Sequence, residues 1–416
     1  MPDLTLYDVA IIGAGPAGCS AAYTAAKEGL SAIFLEEHAK VGEPVHCGEC
    51  LSLFATRRMG LDIPKEAIAQ EVKGIRVVWP DGSSTIYSEP GYDLDKHVFE
   101  QYLAVRAQGA GARLQTSSRV SGMSRQNGIW TLTTPAGPVR ARAVIDASGY
   151  ESVSNKLTGL NEKRFSTVNG AQYLMEDVPN DGYIEFFIWP RLAPEGYLWI
   201  IPKRNGAANV GLVTPEAAKV HPYLKAFIKE KGLEGKKIVK PFGGIIPASG
   251  PLARTYADGL LLAGDAAGFT SPMFEGGTQL GLKSGELAAL TLARAAHHPK
   301  PVAEDINTLS IHHDSGAPTV ASDPFSANAL SEYEHLWRAE FPPYEKLLAG
   351  KHRMYAFSET ELNQIARIIP RNLTHMNWAD KTLIAAKLAL HPHLLQKGVL
   401  SALDTFSYST GSQYGW

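Results

Sequence analysis

Residues 7–12, YDVAII, form a short apolar run rich in β-formers, and from Ala17 to Lys27 small apolar residues dominate. This change of pattern predicts a strand followed by a helix. Gly29 ends the helix, and SAIFLEE at 31–37 reads as a second strand closing on Glu36. IRVVWPDGSSTIYSE at 75–89 alternates on both sides of Asp81-Gly82, which predicts a hairpin. DLDKHVFEQYLAVRAQGAG at 93–111 predicts an amphipathic helix ending in glycines. Short strands follow between 112 and 149, the last closing on Asp146. Residues 165–215 are β-rich and aromatic, with GYIEFFIWP, GYLWIIP and AANVGLV, and HPYLKAFIKEKGLEGKK predicts a helix running into a solvated basic stretch. Residues 256–290 predict a strand up to Gly264-Asp265, a loop with paired glycines, and a long helix. Polar and chain-breaking residues fill 297–326, and apolar positions return at helical spacing over 327–406.

Gly13, Gly15 and Gly18 place G-x-G-x-x-G between the first strand and the first helix, inside a strand–helix–strand unit that closes on an acid. That context marks a dinucleotide site. Gly13 permits the tight turn, Gly15 lets backbone approach a pyrophosphate, and Gly18 lets helix and strand pack closely. Ala14 and Ala17 fill the turn between them, and the helix N-terminus favours the anion. Glu36 is placed to accept hydrogen bonds from ribose hydroxyls, with Glu37 beside it and Val120 assigned to the same nucleotide site. In the distal block, Asp265 can bond a ribityl hydroxyl, and the helix opening at Gly276, Gly277 and Thr278 can aim its N-terminus at a flavin ring.

The glycine fingerprint, the Asp146-Ala-Ser-Gly149 turn and the GDAAGFTSP…EGG block, in that order, resemble the FAD flavoproteins of the para-hydroxybenzoate hydroxylase type. The resemblance implies FAD and an α/β, Rossmann-like domain of the glutathione-reductase/para-hydroxybenzoate-hydroxylase type. With it go an α+β antiparallel-sheet substrate domain and a helical C-terminal region. The expected boundaries are 1–74, 91–160 and 248–296 for the FAD-binding domain and 75–90 with 161–247 for the substrate domain. Residues 297–326 are expected to form a linker and 327–416 the helical region. No second G-x-G-x-x-G in strand–helix context follows, which argues against a separate nicotinamide domain.

Composition sharpens the class. The formal net charge is −2, so no global field draws nucleic acid. Three cysteines cannot make a disulfide framework and fit a reducing compartment. The absence of an apolar leader and of any run of about 18 apolar residues predicts a cytoplasmic chain that spans no bilayer, with contact at a membrane surface left open. Four histidines, His297, His298, His312 and His313, fall in the 297–326 stretch at a spacing that matches no metal clip.

Two of the cysteines form Cys47-Gly48-Glu49-Cys50. Zinc would need a second ligand pair, and the third cysteine, Cys19, lies inside the nucleotide turn, where it reads as a small helix residue. A redox dithiol would need a second nucleotide fold. A thiol near the flavin and a buried space-filling thiol both stay open on these grounds.

PVHCGECLS resembles the corresponding segment of the geranylgeranyl reductase family, and APEGYLWIIPK resembles its P-x-x-Y-x-W-x-F-P signature. The resemblance implies that Cys47, followed by Gly48, sits beside the flavin and matters for activity. It also implies that Pro194, Tyr197, Trp199 and Pro202 line a prenyl pocket, with Ile201 in place of the phenylalanine. Tyr197 and Trp199, two apart on one strand, would point the same way. Cys50 departs from the pattern, and Lys96 stands where an arginine is usual, supplying a cation for the FAD phosphates without bidentate geometry.

The implied activity is FAD-dependent saturation of isolated double bonds in a geranylgeranyl chain, on an ether lipid or as the diphosphate. Cys47, Tyr197 or a held water would supply the proton. Ferredoxin or NADPH would supply electrons. Three other readings stand beside it: reduction of a menaquinone or chlorophyll prenyl tail, a flavin monooxygenase or halogenase, and a flavin-bound electron carrier. YLWIIP also resembles the halogenase W-x-W-x-I-P signature, although no candidate for the halogenase lysine is evident.

Overall fold

The computed structural model describes residues 5–45, 47–297, 323–374 and 376–408. The expected linker falls largely on 298–322, outside the described residues, as do His298, His312 and His313.

The first strand, Leu6–Ile12, is the centre of the first sheet because almost every position in it is buried. It pairs in parallel with Ala32–Leu35 on one side and Gly137–Asp146 on the other. Leu260–Leu262 and Arg113–Gln115 extend the parallel core outward. A hairpin of Gly122–Gln126 and Ile129–Thr134 adds antiparallel strands to the 137–146 strand. Parallel strands buried on both faces read as continuous apolar runs, which is why YDVAII and LLLAG carried so clear a signal.

Two helices cross on one face of this sheet: Pro16–Lys27, which follows the glycine turn, and Thr278–His297. Their approach is set by small residues. A Cβ on Gly285 would lie 2.1 Å from the Ala17 carbonyl oxygen, and one on Gly18 would lie 1.9 Å from that of Gly13. The distal block is thereby locked onto the glycine turn.

The second sheet has seven strands, in the order Ile238–Pro247, Thr167–Met175, Ala208–Thr214, Tyr197–Pro202, Ile184–Phe187, Ile75–Val78 and Ser84–Tyr87. It is antiparallel apart from one parallel pair, Ile184–Phe187 with Ile75–Val78. The 75–87 hairpin turns at Gly82, at φ +83°. A small three-stranded sheet of Cys50–Ser52, Gly91–Leu94 and Ile68–Val72, absent from the sequence expectations, joins the two large ones.

Alternation along Tyr197–Pro202 divides the second sheet's two faces. Leu198 and Ile200 pack with Leu224 and Phe227 of the helix Val220–Glu230. Tyr197, Trp199 and Ile201 pack on the opposite face with the C-terminal helices, through Met354, Leu362, Ile365, Leu394 and Phe406. The helical region therefore roofs the aromatic face of the sheet. Its earlier helix, Glu332–Glu340, instead inserts Tyr333 and Trp337 into the first domain's core.

Gly285→Ala would ordinarily gain about 1 kcal/mol of helix propensity. Here the added carbon meets backbone, and overpacking costs of about 1–3 kcal/mol win. We expect a lower thermal midpoint than wild type; an unchanged or higher one would show that the helix crossing is loose.

Candidate active site

The glycine turn and the distal block converge on one place. Gly13 takes φ +98°, and a Cβ there would lie 2.4 Å from the Ala147 carbonyl oxygen. Gly15 faces open space, with no atom within 4 Å of where a Cβ would stand. The first helix begins with Pro16, has no side-chain cap and carries no acid in its first turn. Its N–H groups are thus available to a phosphate, which is what a pyrophosphate cradle requires. Ala17 packs 2.9 Å from the Cβ position of Gly264, and Gly277's Cβ position is 3.1 Å from Asp265 Oδ1. Burial pushes the Asp265 carboxyl up to about 6, against the pull of the nearby Lys96 cation. The helix that follows begins at Thr278, two residues later than its first glycine.

The remaining nucleotide candidates lie farther along the sheet edge. Glu36 Oε2 accepts the Ala14 N–H at 3.0 Å, and its Oε1 accepts from the His38 N–H and sits 2.7 Å from His38 Nδ1. Glu37 is exposed, 3.6 Å from Arg119 Nε, and Val120 is buried against Ile12, Ile33 and Leu35. Cys19 donates to the Ala14 carbonyl at 3.0 Å, and burial pushes its thiol up, as befits an inert packing residue.

Lys96 opens the helix Lys96–Gly109 and is buried. Its Nζ lies 3.0 Å from Glu100, and burial alone would lower its ammonium. The Cys47 sulfur, Glu100 and Glu49 reverse that and hold the ammonium above its usual range. One cation thus acts on both the Cys47 loop and Asp265.

The Cys47 loop is fastened at three points. Cys47 Sγ accepts the Glu49 N–H at 3.2 Å, in a turn that puts Glu49 at φ +75°. The Cys47 carbonyl accepts from Gln172 Nε2 at 2.8 Å, and Gln172 Oε1 accepts the Trp199 indole N–H at 2.9 Å. Gln172 therefore ties the loop to the signature strand. Glu49 is buried and bonded by Lys203 Nζ at 2.7 Å, Asn209 Nδ2 at 2.8 Å and the Lys96 N–H at 3.0 Å. Lys203 also lies 3.2 Å from buried Asp93, whose carboxyl is pushed up by burial despite that cation. Cys50 donates weakly to the Gly48 carbonyl at 3.7 Å, and burial, with Asp93 beside it, pushes its thiol up.

Above the loop lies the aromatic face. Gly48 approaches Ile201, its Cβ position 3.3 Å from Ile201 Cδ1. Trp199 lies over Gly211, where a Cβ would come within 2.6 Å of the indole. Phe186 stacks on Phe274 at 4.5 Å, and Tyr197 meets both edge-on at 5.3 and 5.1 Å. Tyr197 donates to the Phe274 carbonyl at 2.6 Å; burial, then Glu275, raises its phenol well above the usual range. Pro194 stands apart at the strand's entry, its carbonyl accepting from Thr214, and Pro202 closes the strand just before Lys203. Gln172, Lys203, Asn209 and Asp93 carried no sequence signal, because only strand pairing places them under the loop.

Among the described residues no cluster of His, Cys, Asp and Glu could hold a metal ion. The chemistry this site can support is that of an organic cofactor lying between the glycine turn, Asp265 and Cys47, with an apolar aromatic wall beyond.

Residues 8–154 match the family model for FAD dependent oxidoreductases, and residues 167–246 match that for the geranylgeranyl reductase catalytic domain. The digeranylgeranylglycerophospholipid reductase of Methanocaldococcus jannaschii is 30% identical over 388 residues, covering 88% of this chain and 92% of its own. A geranylgeranyl bacteriochlorophyll reductase-like protein from Thermoplasma acidophilum superposes with a TM-score of 0.81 at 28% identity, over 94% of this chain and 98% of that one. The flavin-dependent brominase Bmp2 shares the fold, with a TM-score of 0.65 at 19% identity, over 87% of this chain and 90% of its own.

Because the fold favours a protonated Asp265, the stabilisation is complete below the ordinary carboxyl value of 3.8 and is lost as pH rises through about 6. We expect Asp265→Asn to gain thermal stability relative to wild type between pH 4 and pH 7, measured on cofactor-free protein. A pH-independent difference would place Asp265 in water.

Proposed function

The chain belongs to the geranylgeranyl reductase family and is an FAD-dependent oxidoreductase, and on that premise we propose that it saturates isolated double bonds of geranylgeranyl chains carried on a glycerophospholipid. The observation that carries this reading is the fastening of the Cys47 loop to the aromatic face of the signature strand through Gln172. An isolated alkene is a poor hydride acceptor, so a proton must arrive as the hydride does. Bound FAD supplies hydride when reduced.

The chain's own residues do the rest. Gly13, Gly15 and the uncapped helix N-terminus would hold the pyrophosphate, Gly18 lets the helix pack closely on the turn, Ala14 and Ala17 shape that turn, and Asp265 with Gly276, Gly277 and Thr278 would take the ribityl and ring end. Glu36, Glu37 and Val120 serve the adenosine end. Lys96 would supply a cation for the FAD phosphates. Tyr197 and Trp199, with Phe186 and Phe274, form a dry wall whose ring faces stabilise positive charge developing at the tertiary carbon. Excluding water protects that carbon from capture. We assign delivery of the proton to Cys47, Tyr197 or a held water. Electrons enter from an external donor, ferredoxin or NADPH.

No helix among the described residues is long and apolar enough to cross a membrane. Access to a lipid substrate is supported by Trp378, Leu383, Leu390 and Leu400, which are 86, 54, 79 and 59% exposed on the C-terminal helices, near Lys381 and Lys387. We expect co-sedimentation with anionic vesicles that weakens in a Trp378→Ala/Leu390→Ala variant; equal sedimentation of both would place any membrane contact elsewhere.

The direct test supplies chemically reduced FAD and geranylgeranyl phospholipid and follows alkene saturation by mass spectrometry. Cys47→Ala is expected to slow saturation by about tenfold or more while FAD binding is kept. Full turnover in that variant would remove Cys47 from the chemistry, and oxygen uptake with a halide-dependent product in wild type would point to a halogenase.

A further inference from the structure

The loop between Asp265 and the long helix carries two parts of the site on neighbouring residues. Phe274 belongs to the aromatic wall, stacked on Phe186 at 4.5 Å, and its carbonyl accepts the Tyr197 hydroxyl at 2.6 Å. Gly276 and Gly277 begin the stretch assigned to the flavin ring end, and the Cβ position of Gly277 lies 3.1 Å from Asp265 Oδ1. Glu275 stands between them, at φ +48°. A non-glycine residue held there persists only where its surroundings demand it. The loop also closes on itself: the Ser271 N–H donates to the Gly276 carbonyl at 2.9 Å, and the Glu275 N–H to the Ser271 carbonyl at 3.0 Å.

The Glu275 carboxylate forms an ion pair with Lys351 of the helix Tyr344–Tyr355, and the two side chains are only 2 and 6% exposed. That helix is joined to a second one, Val399–Tyr408. A Cβ on Gly350 would lie 1.9 Å from Thr405 Oγ1 and 2.4 Å from the Ser401 carbonyl oxygen. Thr405 also donates to the Leu347 carbonyl at 3.1 Å. The two helices thus form one unit, and it sets Phe406 against Phe274 at 5.8 Å and Trp79 at 6.0 Å between ring centroids. Apolar contacts of this kind hold the unit down but are non-directional. The ion pair is directional. A buried ion pair is a costly way to gain stability, since apolar side chains of the same volume do as well or better. The use that accounts for one is fixing how two elements sit against each other.

We propose that Glu275 and Lys351 are positioning residues whose ion pair registers the C-terminal helices against the loop carrying Phe274 on one side of Glu275 and the glycine pair on the other. The pair acts as carboxylate and ammonium throughout, and its part in the reaction is geometric. It fixes the loop, and the loop fixes the aromatic wall relative to the glycines of the ring end. The effect on alkene reduction rests on the activity proposed above; the effect on the loop and on FAD affinity does not. Hydride delivery to an unactivated alkene is demanding of geometry, and a misplacement of about 1 Å can cost about 100-fold in rate.

The test removes both charges together, in Glu275→Gln/Lys351→Met, so that neither is left buried alone. The melting temperature should equal or exceed that of wild type, as expected for a pair that does not serve stability. In cofactor-free protein, hydrogen exchange at the Ser271 and Glu275 amides should be at least about tenfold faster, because the loop has lost its outer anchor. FAD should bind about tenfold more weakly, since its site is no longer pre-organised. With chemically reduced FAD and geranylgeranyl phospholipid, kcat should fall about 100-fold with little change in KM. If this variant does not fold, Glu275→Leu/Lys351→Met, which buries no polar atom at either position, takes its place with the same expectations. Wild-type loop exchange and FAD affinity in the folded variant would overturn the assignment. Failure of both variants to fold would overturn it too, because the pair would then serve stability itself. A wild-type protein that saturates no prenyl alkene would instead overturn the proposed function, while exchange and FAD affinity would still decide the role of the pair.

Discussion

The bond from Gln172 to the Cys47 carbonyl is the constraint on which the site depends. It joins a loop that grows out of the nucleotide-binding domain to a strand of the other sheet. The same amide accepts the Trp199 indole N–H, so one side chain fixes both the thiol-bearing loop and the aromatic wall. Beneath it, Glu49 is held by Lys203, Asn209 and the Lys96 N–H. Removing any one partner would leave charge or polarity buried without compensation, a penalty of several kcal/mol for an ion. The loop therefore has one geometry, and Cys47 a fixed place relative to Tyr197.

The two domains contribute different physics to that place. The first supplies an anion cradle and a carboxyl at the end of a buried parallel sheet, a position set by the tight crossing of two small-residue helices. The second supplies rings and excludes water, with the C-terminal helices closing over them. Hydride and proton chemistry at an unactivated double bond needs both: polar grip on the cofactor and an apolar surface for the chain being reduced.

Much of this was legible in the sequence, for reasons particular residues make plain. The glycine turn is local, and its strand–helix–strand context fits within some thirty residues, so Gly13, Gly15 and Gly18 announced themselves. Asp265 and the paired glycines lie far off in sequence but keep a recognisable local form. Tyr197 and Trp199 came from the resemblance of their segment, with two-residue periodicity putting them on one face, as they are, and Cys47 came from the resemblance of its own. What the sequence did not disclose is made by pairing across distance. Gln172 reaches Cys47 only because the strand Thr167–Met175 lies two strands from Tyr197–Pro202, and Lys203 meets Glu49 and Asp93 only through the small third sheet. Glu275 and Lys351 come from separate regions, and neither neighbourhood carries a pattern that predicts the other.

The most direct measurement of the central claim is photo-crosslinking with a geranylgeranyl phospholipid that bears a photoreactive group along its chain, followed by peptide mapping. The account predicts adducts on the aromatic face, at Tyr197, Trp199 or Phe274, that unlabelled lipid suppresses. Suppressible adducts confined to the opposite face of the sheet, at Leu198, Ile200 or the helix Val220–Glu230, would contradict it.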